Sequence, residues 1–153
     1  MFTEALKLLV ISAVLFVAAF YDHAAFRIPN LLILYGLGAR VLILIIELFT
    51  VKESLGTILL SNIIATGALI VLSLICLLVI RNGLGMGDIK LFILMGLFQG
   101  VQGVISSVFT TLIIAFVYAV FLLITKKKTR NDYIAFAPCI LIGTYISIIL
   151  SGM

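Results

Sequence analysis

The chain has 153 residues, of which 65% are hydrophobic and 10% charged, against about 25% charged in an ordinary soluble domain. With a mean hydropathy of +1.42, a soluble fold of this size would leave more apolar side chain in water than a small globule tolerates. The soluble, disordered, fibrous and disulfide-rich secreted classes are therefore excluded. Ten Lys and Arg against six Asp and Glu give a net charge of +4, but the bases sit between apolar runs rather than in a patch. They read as markers of membrane topology, and no nucleic-acid partner is expected.

A bilayer core takes about 20 apolar residues per spanning helix. The apolar runs predict an all-α polytopic bundle of about six transmembrane helices, near 5–21, 31–49, 56–80, 89–100, 104–125 and 133–150. The third is the longest and most uniform, and the fourth is short for a span. Strands are excluded because lipid-exposed backbone must bond within a helix or a closed barrel, and no alternating barrel pattern is present. The whole of 1–153 reads as a single transmembrane domain, with no internal repeat or linker. A cleaved signal peptide is the weaker reading of the first run, because its start carries one acid and one base and no small-x-small site follows.

Loops one, three and five carry Arg27, Arg81, Lys90, Lys126, Lys127, Lys128 and Arg130, whereas the opposite side carries Lys7 and Lys52. The positive-inside rule then puts loops one, three and five in the cytoplasm and both termini outside. The two cysteines, Cys76 and Cys139, stand apart in apolar runs with no CxxC. They predict small buried hydrophobes rather than a zinc or redox site, and neither a metal nor another cofactor is expected.

Four of the six acids, Glu4, Glu47, Glu53 and Asp132, fall near predicted helix ends or in loops, where water is available. Asp22, closing the first helix, and Asp88, opening the fourth, are different. A carboxylate at a membrane helix end is costly unless paired or wetted, and the charge count puts both on the cytoplasmic side. Two such acids brought close cannot both ionise, so one holds a proton while the other acts as base. That pair can activate water and protonate a leaving amine. Composition leaves a second reading equally open, in which the two acids cap separate helices or balance Arg27 and Lys90.

The local sequences favour the first reading. Gly83-Leu84-Gly85-Met86-Gly87-Asp88-Ile89-Lys90 places three alternate glycines before an acid at a helix start. Such glycines allow positive φ or close approach by another chain, and the helix dipole favours the charged acid. No Lys-Ser/Thr follows at P-loop spacing. After Asp22, Ile28-Pro29-Asn30 breaks the helix and opens a turn.

These stretches resemble the type IV prepilin peptidases, a family of GxGD membrane aspartyl proteases that includes the preflagellin peptidases. Gly85–Lys90 is similar to their GxGDxK motif. Asp22 with a following base and Ile28-Pro29-Asn30 resembles their first motif. Phe136-Ala137-Pro138-Cys139-Ile140-Leu141 resembles a third, Pro-Phe-x-Pro-Phe-Leu, with Ala135 for the first Pro and Cys139 for the second Phe. The resemblance implies that Asp22 and Asp88 are the catalytic pair, that Gly85 and Gly87 allow close approach to Asp88, and that Lys90 steers acidic parts of the substrate or lipid headgroups. It implies a prepilin-, pseudopilin- or archaellin-like substrate whose short basic leader is cut at the cytoplasmic face. Larger members carry an N-terminal CxxC-containing segment associated with zinc and methylation. This chain resembles the short branch without it, so no methyltransferase activity is expected.

Three single residues add expectations. Arg40 lies mid-span and should form a structural ion pair, with Glu47 two turns along or with an acid on a neighbour. His23, beside Asp22, reads as a headgroup-level histidine. Gly96 and Gly100, spaced G-x-x-x-G, are a weak signal of close helix contact. Two other classes remain. A presenilin or signal-peptide-peptidase relative shares Tyr-Asp and Gly-x-Gly-Asp but has more helices and a Pro-Ala-Leu motif, where this chain has Pro138-Cys139-Ile140. A small transporter or assembly subunit would use the two acids to bind a cation. Neither the oligomeric state nor the individual substrate is encoded in the sequence.

Overall fold

The structure is a computed structural model that describes residues 2–25, 28–50, 55–79, 85–125 and 136–151. Among these residues all regular structure is helical: α1 (Phe2–Ala25), α2 (Asn30–Thr50), α3 (Leu55–Val79), α4 (Met86–Ile124) and α5 (Ala137–Ser151). The first four are long and apolar enough to cross a membrane. The apolar side chains that point away from the bundle, Phe16, Phe20, Leu34, Tyr35, Ile63, Phe116 and many others, are exposed, as expected when lipid rather than water is the solvent.

One expectation is corrected here. The first predicted helix does not end at Tyr21; α1 continues one turn to Ala25 and so contains Asp22. The fourth and fifth predicted segments adjoin within α4, 39 residues long, and meet at Gly100 (φ 66°, ψ −173°), where the backbone leaves helical geometry. α5 begins at Ala137, and 133–135 lie outside the described residues.

Gly100 divides α4 into two arms that run in opposite directions. Asp88, on the first arm, lies within electrostatic reach of Asp22, near the C-terminal end of α1. Gln99, at the end of that arm, lines a small cavity with Glu4 and Lys7, near the N-terminal end of α1. The first arm therefore travels from one end of α1 to the other. α5 makes the same journey, from Ala137 beside Asp22 to Ser147, which lines the same small cavity. The second arm of α4 lies antiparallel to α5. Ser147 donates to Ser106 Oγ at 2.7 Å, and Thr110 Oγ1 donates to the Gly143 carbonyl at 2.8 Å. The chain thus turns back at Gly100.

The break is held by side chains from two other helices. In an unbroken helix the Leu97 carbonyl would accept the Val101 N–H. Here Arg40 Nε donates to the Leu97 carbonyl at 2.7 Å, and the Val101 N–H donates to Ser61 Oγ at 3.1 Å. Both polar groups are satisfied by α2 and α3, as backbone in lipid requires. A positive φ is the conformation glycine adopts at least cost, and a Cβ at residue 100 would stand 2.8 Å from Ser61 Oγ. The G-x-x-x-G expectation is therefore met unequally. Gly96 gives the close contact, against the Thr66 backbone of α3, while Gly100 makes the turn.

Arg40 forms the expected ion pair with Glu47, at 2.9 Å. The pair is larger than the sequence indicated. Glu47 also meets Lys7 of α1 at 3.1 Å, and Lys7 meets Glu4 at 2.7 Å. Glu47 is fully buried and Lys7 is 4% exposed, so the expectation that Glu47 sits within reach of water is wrong. A carboxylate near a helix end is buried whenever a neighbouring helix extends past it, and α1 does so here. Glu53 and Asp132 lie outside the described residues. Cys139 is buried and Cys76 half-buried, both as free thiols.

Candidate active site

Asp22 and Asp88 are 66 positions apart in sequence, with α2 and α3 between them, and are brought to the same end of the bundle. Both are buried, at 8% and 9% exposure. They are close enough for their charges to interact, and both reach Cys139 electrostatically. The core around them is formed by Ala18, Ala19, Leu91, Phe92, Ala137 and Ile140, with Phe92 and Phe136 in edge contact at 6.1 Å.

Asp22 is oriented by α5. The Ala137 N–H donates to Asp22 Oδ2 at 3.0 Å. A helix begins with N–H groups that lack a partner inside it, and Ala137 is the first residue of α5. Pro138 follows at a position where a missing N–H costs nothing. The Phe136 carbonyl accepts from the Cys139 and Ile140 N–H groups and starts the helical ladder. Asp22 thus does for α5, from a distant helix, what a capping side chain ordinarily does locally. Ala137 was missed by sequence reasoning because a backbone donor has no side-chain signature. Pro138 was the available signal, since it marks a helix start.

Asp88 is oriented by its own helix. Its N–H donates to the Gly85 carbonyl at 3.0 Å, the first turn of α4. Gly85 is extended (φ −71°, ψ 141°), so it does not use the positive φ that the glycine run allowed; among the described glycines only Gly100 does. Gly85 and Gly87 are both closely approached by side chains. A Cβ on Gly85 would stand 3.1 Å from Asp88 Oδ2, and one on Gly87 would stand 3.0 Å from Ile28. Asp88 Oδ1 is buried with no hydrogen-bond partner among the described residues.

The remaining predicted residues gather at the same place. Ile28, Pro29 and Asn30 lead into α2, where the Leu32 N–H donates to the Pro29 carbonyl at 3.1 Å. Lys90 Nζ donates to Asn30 Oδ1 at 2.6 Å. His23 is exposed beside Asp22. Among the described residues no group of three or more His, Cys, Asp or Glu could hold a metal ion.

An apolar helical bundle with two acids buried at one end is a membrane protein with a built carboxylate site. Residues 9–123 match the model of the type IV leader peptidase family, and the chain belongs to that family. The match includes Asp22, Ile28–Asn30 and Gly85–Lys90, and stops before α5. No curated protein and no solved structure matches the chain. A leader peptidase family is a family of proteases, and its substrates are prepilin-like precursors.

Proposed function

We propose that this protein is an aspartyl endopeptidase that removes the short basic leader of type IV prepilins, pseudopilins or archaellin-like precursors. The observation that carries the reading is the pairing of Asp22 and Asp88, drawn from α1 and α4 into one buried site in a chain of the leader peptidase family. Two buried carboxylates whose charges interact titrate as a coupled pair, so that one holds a proton while the other is ionised. The ionised member accepts a proton from water as the water attacks the scissile carbonyl. The protonated member hydrogen-bonds the carbonyl oxygen and then supplies a proton to the leaving amine. No metal or organic cofactor takes part in these steps. Asp88 Oδ1 is buried without a partner among the described residues, so it is free to bond water or the scissile carbonyl, while Asp22 Oδ2 is held by α5.

The same reading includes six spans, with α4 contributing two. Its 39 residues amount to about 58 Å of helix at 1.5 Å per residue, roughly twice the 30 Å core of a bilayer. The turn at Gly100 supports this division. Both termini then face outward, and the acids face the cytoplasm, where a basic leader is retained.

Co-expression with a prepilin, followed by gel mobility and N-terminal sequencing, tests the proposal. Leader loss is expected with wild type and with neither Asp22→Asn nor Asp88→Asn. Full activity in either mutant rejects the pair. Reagent-accessible tags in the 126–130 loop of intact cells would reject the orientation.

A further inference from the structure

The contact between Asn30 and Lys90 joins residues 60 positions apart, and it does not stand alone. Gly87 and Lys90 lie three residues apart, on one face of the first turns of α4. Ile28 packs where a Cβ on Gly87 would otherwise be, and Asn30 accepts from Lys90. The segment leading into α2 therefore runs along the α4 face at two successive points, with rigid Pro29 between them. Asp88 lies between Gly87 and Lys90 on the helix. Asp22 lies on the chain just upstream of Ile28, with its other restraint on α5.

The only ion pairs among the described residues involve Lys7 and Arg40, so Lys90 is not neutralised there by a carboxylate. It binds the amide oxygen of Asn30 instead. A short bond from an ammonium is stronger than a neutral one and is directional.

We propose that Asn30 and Lys90 are positioning residues that clamp the segment after α1 onto the Asp88 helix and so hold the two acids in one site. The proposal rests on the peptidase reading and deepens it. It assigns Lys90 a task inside the protein, where the family resemblance implied contact with acidic substrate or headgroups.

The two tasks separate in a mutant cycle. Purified enzyme is assayed on two prepilins that differ only in the acidic residues near the cleavage site. Asn30→Leu and Lys90→Met should each lower kcat by a similar factor, up to about a hundredfold for a small misplacement of reacting groups. KM should be unchanged for both substrates. The double variant should be no worse than either single one, and Asn30→Asp, which keeps the acceptor, should restore most of kcat. A double-variant loss equal to the product of the single losses overturns the clamp. So does a KM increase confined to Lys90→Met and the acidic substrate.

A second arm does not depend on turnover. In lipid nanodiscs, Lys90→Met should speed hydrogen–deuterium exchange in the peptide containing Ile28–Leu32 while leaving α3 unchanged; unchanged exchange in that peptide also overturns the clamp. If wild type cleaves neither prepilin, the peptidase reading fails and the exchange arm still decides the clamp.

Discussion

α1 carries an ionisable residue deep in the bundle near each of its ends, and the two ends use burial differently. Lys7 and Asp22 are fifteen residues apart, about 22 Å along the helix. At the Lys7 end, Glu4, Lys7, Glu47 and Arg40 alternate in sign and pair at 2.7–3.1 Å. Arg40 is further satisfied by the Leu97 carbonyl and lies 5.8 Å from the centre of the Phe98 ring, a cation–π distance. At the Asp22 end two acids of the same sign are brought together, and Asp88 keeps a buried oxygen without a partner. Lys7, Glu47 and Arg40 are buried, and the more exposed Glu4 balances their charge, so opposite signs offset each other across the helices. Like charges buried together cost stability and are candidates for chemistry. Under the proposed function, the signs of the charges alone separate a structural network from a reactive site on one helix.

The largest expected effect comes from breaking the acid end. Asp22→Asn or Asp88→Asn should lower the cleavage rate by about a hundred- to ten-thousandfold, with the melting temperature in detergent unchanged or raised, because a buried like charge is removed. A loss of folding in both would place the acids with the structural set instead.

At the other end the signs reverse. Glu47→Leu should destabilise the protein by about 3–5 kcal/mol, because it removes the buried carboxylate that pairs with Arg40 and Lys7. Adding Lys7→Met, which removes one of the two cations and leaves the Arg40 bond to the Leu97 carbonyl in place, should recover part of that loss, while the folded fraction keeps its cleavage rate. Equilibrium unfolding together with a per-molecule activity assay checks both statements. A large fall in kcat without a fall in stability would merge the two ends into one functional unit.

Smaller effects belong to the turn that joins the two ends. Gly100→Ala should cost about 1–3 kcal/mol for a φ and ψ essentially confined to glycine, and Ser61→Ala about 1–3 kcal/mol for the Val101 N–H it leaves unpaired. Since both act on one break, their effects should be less than additive in a double mutant. The smallest expected effect is that of a chelator, which should leave the cleavage rate unchanged; loss of activity that added metal restores would replace the water-plus-dyad mechanism.

The identity of the two acids was legible because burying a carboxylate in a membrane is expensive, so Asp22 and Asp88 stood out against long apolar runs. The glycine pattern and Ile28-Pro29-Asn30 were local and could be read directly. Glu47 was misjudged because a sequence shows how far a residue lies from the end of its own helix, and nothing of what packs over it. The contact between Lys90 and Asn30 was not legible for the same reason, since Asn30 lies on another helix.

Composition and periodicity by themselves determined a helical membrane protein and its apolar segments, and marked Asp22 and Asp88 as acids out of place beside them, because these follow from one-dimensional matters of length, polarity and helix breaking. Only the tertiary structure decided that α4 turns back on a single glycine, that Arg40 and Ser61 satisfy the groups it frees, and that an α5 backbone N–H orients Asp22. Each depends on which atoms meet across helices. Such contacts are set by packing and by the need to satisfy every buried polar group, neither of which is local in the chain.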